Sequence, residues 1–369
     1  MFPDTNMEEL NENLGGDTPE YRDLVNPQEI WREIISDRTQ KGCEEIYIYE
    51  NNTMQFHQRG KLESMDFPPQ LRGTFSDMVS MLVGRSDYDY KKQPDGFETS
   101  AVVAKRRYRV SIMNALGGGL ITMRPYPLKI PDVNQLDMPH SIVEAYMRYQ
   151  NGLVLIGGQT GAGKSTTLAS LNLYRGMNIP ERIFTLEDPV EYVYPAMQHT
   201  VFTQLQKHVH FTSINAIMEK VMRHSPTIIS VGEIRNPEEA SAAIHGAQGG
   251  HLIVATIHAN NSIDMIDRMR GFSDPSGSRA DFLNRFASLF RLGVTQQLYR
   301  NESTDQRVAI YEYFQRGDDA DVVEAAIRDG DYKRIKHLIN NNDNMATFKQ
   351  SLRQRQDEGL LSANIELQD

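Results

Sequence analysis

The run LVLIGGQTGAGKST, residues 153–166, constrains this chain more than any other stretch. It places G-x-x-x-x-G-K-[ST], Gly158 to Ser165, between an apolar strand-like run and a helix-like continuation, STTLASLNLYR. Such a loop works where a strand delivers it and a helix N-terminus receives phosphate, so it selects an α/β core. The loop runs through Gly158, Thr160, Gly161, Ala162 and Gly163, whose glycines let backbone N–H groups approach phosphate oxygens. Lys164 adds a positive charge for the β and γ phosphates, Ser165 offers a hydroxyl to Mg²⁺, and Thr166 follows into the helix. A nucleoside triphosphate with Mg²⁺ is the pair this loop is built to hold.

The runs NGLVLIGG (151–158), ERIFTLE (181–187), TIISVGE (227–233) and HLIVATIH (251–258) are short, apolar and separated by helical stretches. They predict parallel strands buried on both faces of a doubly wound sheet. From about Ala280 onward the pattern reads as nearly all helical. Upstream, NPQEIWREIISDRTQ repeats Ile30, Trp31, Ile34 and Ile35 at helical spacing, with Pro27 at an early, tolerated position. EEIYIYE, TMQFHQRGKL, ETSAVVAKRRYRVSIM and GLITMRP read as strands, so this part is a small α+β domain. The chain of 369 residues thus divides into an acidic stretch 1–25, an N-terminal domain 26–126, a proline-bearing hinge linker 127–140, a nucleotide-binding domain 141–300 and a helical C-terminal region 301–369. The acidic stretch carries few large apolar groups and is expected to be disordered or loosely docked.

Composition narrows the function classes. A formal net charge of -10 opposes nucleic-acid and anionic-lipid binding; only KRR at 105–107 hints at a basic patch, and short runs of this kind are usually solvated surface. No run approaches the ~18 apolar residues of a membrane helix, and the polar, acidic start predicts no secretory leader. The single cysteine, Cys43, excludes internal disulfides and multi-cysteine zinc sites and fits a reducing cytosol. A GTPase would carry Asn-Lys-x-Asp, absent here, and a small-molecule kinase rarely needs a separate N-terminal domain.

Three further groups of residues bear on chemistry. Glu233 ends TIISVGE, where an acid at the C-terminal end of a core strand sits beside the phosphate loop and can polarise the attacking water. The alternative is an acid near the start of the next helix, NPEEA. TLEDPVE (185–191) sets Glu187, Asp188 and Glu191 close together, which demands exposure, a metal, a water or a basic partner. His251 and His258 bound a buried run, and a lone histidine there is more often a satisfied core residue than a catalytic one.

In this order and at this spacing, the motifs resemble the PilT and VirB-type secretion ATPase superfamily, hexameric motors of pili and secretion systems. GGQTGAGKST resembles its Walker A, TLEDPVE its Asp box, IISVGEIRN its Walker B and GGHLIVATIHANN its His box, with the resemblance running from about residue 100 onward. It implies a RecA-like P-loop ATPase core, a smaller PAS-like α+β N-terminal domain and a helical C-terminal region. By resemblance Glu233 activates water, Glu187 helps hold water and Mg²⁺ together with Ser165, and His258 links the γ-phosphate to the subunit interface. Arg109 and Arg124, in RRYRVSIM and ITMRPYP, would reach the γ-phosphate, with Arg107 a further candidate. Asp188, Glu191 and His251 match the motifs without a defined duty, and Arg223 and Arg235 match positions that contact a neighbouring subunit.

Departures from the pattern separate the members. RHSPT (223–227) stands where the family often has RQDPD, Asn236 replaces the acid after the GEIR arginine, and GGH replaces TGH. The retraction signature AIRNLIRE becomes VEAAIRD (323–329), with Glu324 at the place of its first arginine. The chain is shorter than the assembly ATPases and lacks their four-cysteine element. It is most similar to the DotB and TraJ ATPases of type IVB secretion and conjugation, which often read R-x-x-P before Walker B, with retraction ATPases next. The resemblance implies a cytoplasmic homohexamer held peripherally at the inner membrane by components of its machine, with no direct nucleic-acid partner. A DNA translocase and a non-hydrolysing ATP-switched scaffold are the competing classes; the acidic balance disfavours the first, and Glu233 with both histidines the second.

Overall fold

The computed structural model describes residues 26–367 apart from Arg59, Asp87, Pro94, 274–277, Glu302 and Asp305, so the acidic stretch 1–25 lies outside the described residues. Contacts divide the chain into two compact units, Met1–Tyr126 and Pro127–Asp369.

The first unit opens with α1 (Pro27–Gln40), where Asn26 Oδ1 accepts from the Gln28 N–H at 3.0 Å and Pro27 takes the first turn. Ile30, Trp31, Ile34 and Ile35 all enter the core. The Trp31 ring meets Phe67 edge-on at 4.9 Å, and its indole N–H donates to Thr74 Oγ1 at 3.1 Å. Strands β1 (Glu45–Tyr49), β2 (Thr53–Gln58) and β3 (Lys61–Asp66), helix α2 (Phe75–Val83), then β4 (Phe97–Val103), β5 (Arg106–Ala115) and β6 (Gly118–Pro125) complete this PAS-like unit. The sheet is antiparallel, in the order β3-β2-β1-β6-β5-β4. Ile46 and Ile48 alternate with half-buried neighbours along β1, so one face of the pleat joins the core. KRR spans the end of the β4–β5 turn and the start of β5, with Arg107 over the Tyr126 ring at 4.9 Å.

Glu50 ties this unit together. Its carboxylate pairs with Lys91 at 2.9 Å and accepts from the Gly119 N–H at 2.7 Å; these bonds pull its pKa from 4.5 down to about 2. A depressed folded pKa gives stability that is present above about 4.5 and lost as the pH falls toward 2. Glu50→Gln should therefore lower the unfolding midpoint at pH 7 by about 1–3 °C, the pair being partly exposed. The gap between native and variant should close in acid, as followed by circular dichroism.

The second unit contains α3 (His140–Arg148), β7 (Gly152–Gly158), α4 (Lys164–Asn178), β8 (Arg182–Glu187), β9 (Val201–Gln206), α5 (Ile214–Met222) and β10 (Ile228–Ile234). After these come α6 (Pro237–Gln248), β11 (Leu252–His258), α7 (Ser262–Gly271), α8 (Arg279–Leu289), β12 (Phe290–Arg300), β13 (Arg307–Gln315), α9 (Ala320–Asp329), α10 (Tyr332–Asn341) and α11 (Phe348–Asp357). Seven strands form one sheet, β13-β12-β7-β11-β10-β8-β9, parallel except for β13. Leu153 and Leu155 of β7 pack into a core with α6, α7 and α8, whereas Val154 and Ile156 pack into a second core with α3 and α4. A strand buried on both faces reads as an unbroken apolar run, which is why these strands stood out in the sequence.

The helical reading from Ala280 needs correction over Phe290–Gln315, which is the hairpin β12–β13 at the edge of the sheet. The division at 300/301 falls within this hairpin, where Arg300 and Arg307 are register partners. Phe290 belongs to one core and Leu292 and Val294 to the other, and a two-sided apolar run has no period that separates strand from helix. The expected C-terminal helices follow as α9 to α11. The stretch 127–140 is packed onto this unit: Val133 and Met138 join the core beside α3, and the Tyr311 hydroxyl donates to the Leu136 carbonyl at 3.1 Å.

Candidate active site

Because β7, β8, β10 and β11 are parallel, their motif-bearing ends share one edge of the sheet. The phosphate loop, Glu187, Glu233 and His258 meet there by topology. From β7 the chain crosses toward β8 on one side, and from β11 it returns to β12 on the other, so the crevice outside β7 is the switch point where such sheets bind ligands. His251 and Arg223 precede β11 and β10 and occupy the opposite edge. At ~3.3 Å per residue, His251 lies roughly 20 Å from His258 along the strand. Its Nδ1 is 3.3 Å from the Gly246 carbonyl, as in a satisfied structural histidine.

The loop needs its glycines for two different reasons. A Cβ on Gly158 would stand 2.9 Å from both Ala162 Cβ and the Gln296 carbonyl oxygen. Gly163, the residue before α4, has φ +89°, a left-handed conformation that penalises other side chains. Lys164 Nζ donates to the Gly158 and Gln159 carbonyls at 2.9 and 3.0 Å, which leaves one of its three donors for a phosphate. Burial pulls the Lys164 pKa below the usual ammonium value, against the opposing charges of Glu233 and Glu191. The Thr166 hydroxyl is 2.8 Å from the Tyr192 hydroxyl, joining the first turn of α4 to the segment after β8.

Gln296 is a site residue that pattern reading missed, because it sits in the stretch read as helical. Buried on β12, it accepts from Thr167 Oγ1 at 2.6 Å and donates to the Ala162 carbonyl, thereby tying the C-terminal half of the phosphate loop to the start of α4. The only signal available was a Gln-Gln pair inside an otherwise buried run. Gln296→Ala would orphan both partners at a cost of about 1–3 kcal/mol. A lower unfolding midpoint and a raised KM for ATP are expected, measured by thermal shift and phosphate release.

Glu233 stands near the C-terminal end of β10, and β11 lies between β10 and β7, the strand that delivers the phosphate loop. The register of β10 with β11 slips between Val231 and Ile234, a bulge of the kind that re-aims side chains beside active sites. Glu233 Oε2 pairs with Arg235 Nε at 2.5 Å; Arg235 Nη1 is 3.9 Å from Asp188 Oδ2, and Lys207 Nζ is 3.6 Å from the same oxygen. The helix foreseen in NPEEA is α6, capped by Asn236 Oδ1, which accepts from the Glu239 N–H at 2.9 Å. Asparagine thus serves the capping role at a position where the family has an acid.

Glu187 is held by its own neighbours. Oε1 accepts from Thr185 Oγ1 at 2.6 Å and Gln204 Nε2 at 3.1 Å, and Oε2 accepts from the Glu191 N–H at 3.4 Å; burial raises its pKa. Among the described residues no group of three or more His, Cys, Asp and Glu could hold a metal. A divalent ion here would take its ligands from Ser165, phosphate oxygens and water, a donor set suited to Mg²⁺. His258 is the register partner of Gly158, and its carbonyl accepts from Arg268 Nη1 at 2.9 Å. The next residues reach the loop as well, since Gln159 Nε2 donates to Asn260 Oδ1 at 3.3 Å.

Arg109 and Arg124 belong to the other unit. They are register partners on β5 and β6, so two guanidinium groups stand on one cross-strand pair. Arg109 pairs with Glu98 at 2.8 Å and Arg124 with Glu45.

A phosphate loop at the switch point of a parallel sheet, faced by a strand-end glutamate, defines a P-loop ATPase. The sequence model described as Type II/IV secretion system protein matches residues 23–358, and the chain belongs to that family. The match starts well before residue 100, where the motif resemblance begins. The uncharacterized protein YggR of Escherichia coli K12 is 31% identical over 263 residues, 71% of this chain and 78% of that one. A crystal structure of the pilus retraction motor PilT with bound ADP superposes with a TM-score of 0.77 at 24% identity, over 90% of this chain and 94% of that one. The ATPase DotB of Legionella pneumophila does so with 0.75 at 21% identity, over 95% and 96%. The protein is thus an ATP-hydrolysing P-loop enzyme of the Type II/IV secretion family. No helix among the described residues is long and apolar enough to cross a membrane.

Proposed function

We propose that this ATPase drives a type IVB secretion or conjugation system, as a cytoplasmic homohexamer held at the inner membrane by partner proteins. The observation that carries the choice is Glu324. It replaces the first arginine of the retraction signature, and its carboxylate is built into the fold by an ion pair with Arg316 at 2.5 Å. The likeness to PilT keeps pilus retraction as the second reading.

In the reaction, Glu233 takes a proton from water as its oxygen bonds to the γ-phosphorus and the bond to the β–γ bridging oxygen breaks. Lys164 holds the β and γ phosphates. Arg109 and Arg124 neutralise charge on the departing phosphoryl group, and His258 links that group to the subunit boundary. Mg²⁺ would be held by the Ser165 hydroxyl with Glu187, and would supply charge neutralisation on the phosphates.

The test replaces the chromosomal gene with its Glu233→Gln form, counts surface pili by electron microscopy and scores substrate transfer in the same cultures. Normal pili with transfer lost support the secretion or conjugation motor. Excess pili with transfer intact transfer the assignment to retraction.

A further inference from the structure

We infer that Arg235 is a positioning residue that restrains the catalytic base and hands over between two carboxylates, Glu233 and Asp188, as the site becomes active. This deepens the proposed site and rests on Glu233 being the base. Arg235 Nε is 2.5 Å from Glu233 Oε2, while its Nη1 is already 3.9 Å from Asp188 Oδ2. The backbone at Arg235 is anchored, because its N–H donates to the buried Glu239 carboxylate at 2.8 Å, so the side chain is the part free to swing. Lys207 Nζ lies 3.6 Å from the same Asp188 oxygen, so this carboxylate already sits among cations. The Arg235 side chain is 54% exposed, and an ion pair that exposed is weak enough to exchange partners.

The exchange matters for chemistry. A carboxylate oxygen already accepting from a guanidinium N–H is not free to accept from the attacking water. Moving Arg235 to Asp188 frees Oε2. Glu233 remains at the bulge of β10, where its charge and that of Glu191 already act on Lys164. Asp188 thereby acquires a duty that its motif alone did not give it: it is the second seat of the arginine.

The test measures kcat and KM for ATP hydrolysis on the assembled full chain. Asp188→Asn removes the second seat and should lower kcat by about tenfold or more, with KM for ATP within about twofold, because ground-state binding is untouched. Adding Arg235→Gln should restore kcat to that of Arg235→Gln alone, a coupling that independent structural damage would not produce. Arg235→Lys, which keeps the charge without the two-armed fork, serves if the glutamine variant fails to fold and should relieve the Asp188→Asn defect in part. A double variant as slow as Asp188→Asn, a fully active Asp188→Asn, or an inactive Arg235→Gln each overturns the inference. Glu233→Gln is run alongside: retained turnover there removes the base assignment itself, whereas its loss with no rescue removes only the restraint.

Discussion

Glu233→Gln should reduce phosphate release by about 10²- to 10⁴-fold, the usual contribution of a positioned general base. The substitution keeps the size of the side chain and its ability to bond Arg235 through the amide oxygen. It removes the capacity to take a proton. Nucleotide affinity should change little, because Glu233 meets Lys164 through charge and the loop is braced from the other side by Gln296. Equilibrium binding of a fluorescent ATP analogue, measured beside turnover, separates the two effects. Turnover at the native rate would sink the assignment of the base. Loss of binding and turnover together would mean that Glu233 supports the loop rather than the chemistry.

The second large effect is expected at the paired arginines. Guanidinium groups that stabilise the charge of phosphoryl transfer contribute about 10³–10⁵ in kcat, so Arg124→Ala should approach the lower part of that range and Arg109→Ala a similar one. The two stand as direct neighbours on β5 and β6, and each has a carboxylate partner, Glu45 and Glu98. Because these pairs lie at the surface of the first unit, the unfolding midpoint of either variant should stay within a few degrees of the native value. A native-like fold with kcat collapsed and nucleotide still bound is the expected result from thermal shift and turnover. A kcat within about threefold of the native protein would place both arginines outside the reaction.

The legibility of the site follows from its physics. Gly158, Gly163 and Lys164 were readable because phosphate contact imposes residue type: a backbone that must approach closely cannot carry a Cβ, and a polyphosphate needs a fixed cation. Glu233, Glu187 and His258 were readable because each terminates an apolar run, and the ends of buried strands are where polar groups meet solvent. Gln296 was not, since its role depends on β12 lying beside β7, a pairing between residues far apart in sequence. The stretch from Phe290 to Gln315 misled for a related reason: burial on two faces erases the alternation that separates strand from helix.

Local chemistry written in the chain determined the nucleotide loop, the order of the motif-bearing runs and the amphipathic first helix, because each depends on residues within one or two turns or one strand of each other. Only the tertiary structure decided that β11 intervenes between the loop and Glu233, that His251 and Arg223 stand at the far edge, and that Arg235 bridges two motifs. Strand order and the meeting of charged side chains arise from how crossovers pack against a twisted sheet. That packing sums many weak contacts over the whole unit, and no short stretch of sequence carries it.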